Sequence, residues 1–79
     1  MTPTVFREAG FRFYFFSREE ERIHIHVSHP RGEAKVWLDP EIAIARNHGL
    51  TEKQLATVQR LIKRHENEIR SAWKEHFES

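Results

Sequence analysis

At 79 residues the chain makes one small domain, which buries only about 60–65 % of the surface its unfolded form exposes. A formal net charge of +1 excludes bulk electrostatic attraction to nucleic acid or anionic membranes, so any such binding needs a local patch, and the lack of cysteine excludes a disulfide staple. No apolar run approaches the roughly 18 residues of a membrane span, and the opening MTPTVFREAG has no signal-peptide core, so the expectation is a soluble, cytoplasmic protein without a membrane partner.

The first half of the chain repeats in twos. Thr4-Val5-Phe6-Arg7 reads as a short strand turning at Ala9-Gly10 into FRFYFFS, residues 11–17. RIHIHVS (22–28) and EAKVWLD (33–39) alternate in the same way, with His29-Pro30-Arg31-Gly32 as the turn between them. Arg18 to Arg22, including the EEER of 19–22, reads as a solvated loop. These runs predict a three- or four-stranded antiparallel sheet over about 4–38.

At Asp39-Pro40 the reading changes. Asp39 suits an N-cap, Pro40 suits a first helical position, and Gly49 suits the residue after a helix, so a short helix is predicted over about 40–48. Thr51-Glu52-Lys53-Gln54 is a capping box, and no glycine or proline follows it. A long helix is therefore predicted over about 52–77, roughly 39 Å at 1.5 Å per residue. Its apolar stripe runs through Leu55, Val58, Ile62, His65, Ile69 and Ala72, then Trp73, His76 and Phe77 near the end. A seven-residue strand spans only about 23 Å, so the helix should overhang the sheet. Ile69, Trp73 and Phe77 at the overhanging end are candidate interface residues, for a partner or a homodimer, unless the N-terminal strand covers them. The predicted fold is a single α+β domain with the short and the long helix packed on one face of the sheet.

Strand alternation also splits the sheet into faces. Phe11, Phe13 and Phe15, with Ile23, Ile25 and Val27 and then Ala34, Val36 and Leu38, form the face that must meet the helices. The opposite, open face collects Arg12, Tyr14, Phe16, His24, His26, Lys35 and Trp37. It supports three readings. It is a solvated face whose rings pair across strands. It is a surface for single-stranded RNA, on which Arg12 and Lys35 hold phosphates, Tyr14 and Trp37 stack on bases, and His24 and His26 transfer protons if the RNA is cut, without a metal. Or it is a metal site: imidazoles at i and i+2, with Cα atoms roughly 6.6 Å apart, can converge on one ion with His29, Glu33 or Asp39 as third ligand. His-x-His alone is a weak metal signal, and no cofactor is required by any other motif. His65, in the helical stripe, reads as a core or interface histidine with a hydrogen-bond partner, while His48 and His76 read as helix C-terminal residues.

The order PTVFREAGFRFYFFS, then HIHV, then GEAKVWLDP, then a long helix ending in SAWKEHF resembles a family of small bacterial proteins, domain-of-unknown-function family number 4160. The resemblance spans nearly the whole chain and is sharpest at 24–27 and 32–38. Prolines usually precede the first histidine in that family; Arg22-Ile23 stands there in this chain, which favours a continuous strand. The resemblance implies a cytoplasmic protein encoded beside a second small protein, in an arrangement like a toxin–antitoxin module, with His24 and His26 as the family's histidine pair and the cognate protein on the helix or the histidine face. The resulting expectation is a toxin-like component acting on RNA or translation through the open face. The alternative is a non-catalytic interaction module, or an antitoxin-type partner, with the sheet face and long helix as interfaces.

Overall fold

The computed structural model describes residues 4–15 and 22–78; Phe16 and the 18–21 part of the expected loop lie outside the described residues. Five strands form one antiparallel sheet in sequence order: β1 (Thr4–Glu8), β2 (Phe11–Tyr14), β3 (His24–His29), β4 (Gly32–Trp37) and β5 (Ala43–His48). Two helices follow, α1 (Glu52–Arg64) and α2 (Glu66–Glu78). The α+β class and the antiparallel meander agree with the sequence reading. The aliphatic and phenylalanine face is the core: Phe13, Ile25, Val27 and Val36 are fully buried, as are Val58, Ile62 and Ile69 from the helices. The capping box at Thr51 is formed in both directions, Gln54 N to Thr51 Oγ1 at 3.1 Å and Thr51 N to Gln54 Oε1 at 2.9 Å.

Two expectations are corrected. The short helix over 40–48 is strand β5, the fifth of the sheet. Asp39 does not cap a helix; its carboxylate accepts from Arg70 on α2 at 2.9 Å. The alternation Ile42-Ala43-Ile44 wins because β4 needs a partner along its outer edge, and Ile44 then packs opposite Val36 against the core. The strand ends at a local lock: Asn47 Oδ1 accepts from Leu50 N at 3.1 Å while its Nδ2 donates to Leu50 O at 3.0 Å.

The second correction concerns the long helix, which is interrupted at a single residue, His65. The His65 ring stacks on Phe6 of β1 with centroids 4.0 Å apart. Its Nε2 meets Glu8 Oε1 and its Nδ1 meets Glu68 Oε1, each at 2.9 Å. Carboxylates only accept, so both ring nitrogens donate and the imidazole is cationic. Beyond this joint α2 lies against the sheet rather than past it. Ile69 and Trp73 are interior, and Trp73 touches both Phe15 and His24, with centroids at 5.5 and 5.1 Å. Two of the three candidate interface residues are therefore buried within this chain, Trp73 against Phe15 and the start of β3; Phe77 is half-buried beside Trp73.

Candidate functional site

The open face is a grid set by strand register. One row runs Tyr14, His26, Lys35, Arg46 across β2 to β5; the next runs Arg12, Ser28, Glu33, His48. A further row holds His24 opposite Trp37, and Arg7 extends the Arg12 row onto β1. The expected residues Arg12, Tyr14, His26, Lys35 and Trp37 thus share this face. Arg46 and His48 join it from β5 and were missed because that segment reads as a helix.

The register shift between Lys35 and Val36 places them there. Ile44 lies opposite Val36 and Arg46 opposite Lys35, so Ala45 is an extra residue in β5. With strict alternation, Ile44 facing the core would send Arg46 inward as well. The bulge turns Arg46 and His48 outward while Ile44 stays inside.

Charge is concentrated on this surface. Arg7, Arg12, Lys35 and Arg46 stand on it, and the Arg22 guanidinium lies 4.2 Å from the Trp37 ring centroid. Glu33 is the single carboxylate among the described strand residues of the face. The rings are paired with cations: Arg12 lies 4.5 Å over Tyr14, and the Lys35 ammonium 4.5 Å over Trp37. Lys35 is itself 8 % exposed, its stem lying along the sheet. Such pairs contribute about 0.5–2 kcal/mol each and hold the cations against the rings. The phenol of Tyr14 is raised above its ordinary value, first by burial and then by the nearby Glu33 carboxylate, so it stays a neutral hydroxyl.

The two histidines of IHIHV have different surroundings. His24 is 2 % exposed, edge-on to His26, Trp37 and Trp73. Its Nδ1 is 2.8 Å from Arg22 O; a carbonyl only accepts, so Nδ1 carries the proton. His26 is half-buried, stacks on Tyr14 at 5.5 Å, and lines an open hollow of about 250 Å³ with Tyr14, Glu33, Lys35, Arg46 and His48. Their ring centroids are 5.4 Å apart, but only His26 reaches the hollow.

His29 belongs to the other face. Its ring packs on Phe11 at 4.7 Å and its Nδ1 accepts from Arg31 N, so it does not converge with His24 and His26 on an ion. Among the described residues no three His, Cys, Asp or Glu side chains come together in a metal-binding group, and no helix is long and apolar enough to cross a membrane.

No curated protein sequence and no solved structure gives a match to this chain. The sequence model described as "Domain of unknown function (DUF4160)" matches residues 10–74, which takes in β2 through most of α2 and every side chain of the hollow. The chain belongs to the DUF4160 family.

Proposed function

We propose that the open sheet face binds single-stranded RNA, and that the protein acts through it as the toxin-like component of a two-protein module. The observation that carries this reading is the separation of charge. A chain with a formal net charge of +1 sets five cations, Arg7, Arg12, Arg22, Lys35 and Arg46, around a single carboxylate among the described strand residues of one face. That is the local patch which the whole-chain charge left open. The Arg12 and Arg22 guanidinium groups over Tyr14 and Trp37 combine aromatic surface for bases with contacts for phosphates. A sheet platform with aromatic rings and cations on one face suits an unpaired strand, whose bases are free to stack.

The test is induced expression in a bacterium. Wild type arrests growth and lowers intact RNA or translation, and Arg12→Ala/Arg46→Ala at equal soluble level does neither. Equal arrest by both proteins would remove the face from the account.

A second reading has its own observation. β5 is a sheet edge with exposed Ala45, Arg46, Asn47 and His48, and edge strands accept an added strand. A small cognate protein would dock there rather than on Ile69 and Trp73, and would cover Arg46 and His48 as it did so.

A further inference from the structure

Binding leaves unexplained why a carboxylate stands in the middle of a basic face. Glu33 shares the hollow with His26, Tyr14, Lys35, Arg46 and His48. His26 is opposite Lys35 and Glu33 is opposite Ser28, so His26 and Glu33 are diagonal neighbours, roughly 7–8 Å apart at Cα. Ser28 fills the remaining corner with a small side chain, which opens the space between them. An acid–base pair thus flanks a space that Arg46 and Lys35 border with positive charge. The hollow, about 250 Å³, is smaller than the roughly 300–1,000 Å³ of pockets for drug-sized ligands. It has room for a phosphate and its ribose with the base left on the platform.

The geometry points to a transphosphorylation site for RNA in this hollow, with Glu33 as base and His26 as acid. The inference rests on the RNA reading of the face. Glu33 takes the proton of a ribose 2′-hydroxyl; the 2′-oxygen attacks the adjacent phosphorus; the bond from phosphorus to the 5′-oxygen breaks; and that oxygen leaves with the proton of His26 Nδ1, since Nε2 is buried. The products are a 2′,3′-cyclic phosphate and a 5′-hydroxyl end, and no further reactant is consumed. Arg46 and Lys35 offset the charge that builds on the non-bridging oxygens. His48, opposite Glu33, donates to one of them. His24 touches no reacting atom; its fixed ring packs edge-on to His26 and positions it.

The test uses the purified protein and a labelled, unstructured RNA oligomer, with ends identified by mass. Wild type leaves 2′,3′-cyclic phosphate and 5′-hydroxyl ends, and the 2′-deoxy oligomer stays intact. Glu33→Gln and His26→Ala each lose about 100-fold or more, while the α1 surface variant Lys53→Ala cuts like wild type. An oligomer with a 5′-sulfur leaving atom, which departs without a proton, restores cutting by His26→Ala and not by Glu33→Gln. Circular dichroism confirms that the variants are folded. RNA bound but never cut, ends bearing a 5′-phosphate, or full activity in Glu33→Gln would each overturn the inference and leave RNA binding standing. Failure to bind the oligomer at all would instead remove the binding reading beneath it.

Discussion

Arg46 lies directly across the strand pair from Lys35 although Ile44 lies across from Val36, and the residue that makes both pairings possible is Ala45. The bulge lets a single six-residue strand give an isoleucine to the core and an arginine and a histidine to the open face. Deleting Ala45 makes Ile44 and Arg46 neighbours, and plain alternation then keeps Ile44 inward and Arg46 outward without a bulge. The expected outcome is RNA affinity and thermal stability near wild type for this deletion and for Ala45→Ser, which keeps the bulge; loss of RNA affinity on deletion would contradict the pairing. Thermal melts and an RNA titration of the two variants check this.

Stability should fall with rising pH because of His65. Its pKa is raised, first by the hydrogen bond to Glu8, then by that to Glu68, against an opposing effect of burial. A raised folded-state pKa adds stability that is fully present below the unfolded value, about 6.5, and is lost as pH rises through the folded value. Melting temperature should therefore decline from pH 6 toward pH 8.5. In His65→Gln the slope over that window should shrink, since the amide carries no titrating charge. A slope that stays the same would assign the effect to another group.

Trp73 ties α2 to the sheet end, where it touches Phe15, His24 and Phe77. Trp73→Ala removes a side chain that is 3 % exposed and should cost about 3–5 kcal/mol. For a domain of this size that approaches the whole of its stability. Trp73→Phe should be much milder. In Trp73→Phe the edge contact on the His24 ring changes, so its proton resonances should shift in an NMR spectrum, with those of the distant His48 unchanged.

Much of the fold was legible in local pattern. Alternation in FRFY, HIHV and EAKVW assigned three strands and both faces, and Thr51 with Gln54 marked the start of α1. The segment 40–48 misled because two signals compete in it. Asp39, Pro40 and Gly49 are good helix punctuation, whereas Ile42-Ala43-Ile44 alternates, and the unsatisfied edge of β4 decides between them. The joint at His65 was not legible locally, since only one of its two carboxylate partners, Glu68, is nearby and the other, Glu8, lies 57 positions earlier in sequence. For the site, parity alone collected Tyr14, His26, Lys35 and Trp37. Arg46 and His48 needed both the strand and its bulge, and a bulge is a property of the pairing rather than of the residue. Parity also could not separate His24 from His26, because the difference is made by Trp73 arriving from α2.

Binding of RNA by the cation-rich sheet face is measured by fluorescence anisotropy with a labelled single-stranded RNA over a range of salt concentrations. Five phosphate contacts predict a slope of log K against log salt of roughly −3.5, at about −0.7 per contact for single strands. Arg12→Ala/Arg46→Ala should weaken binding and flatten the slope by about 1.4, while Lys53→Ala/Lys63→Ala on α1 should change neither. An equal loss from the α1 pair, or a slope that the Arg12 and Arg46 substitutions leave untouched, would contradict the account.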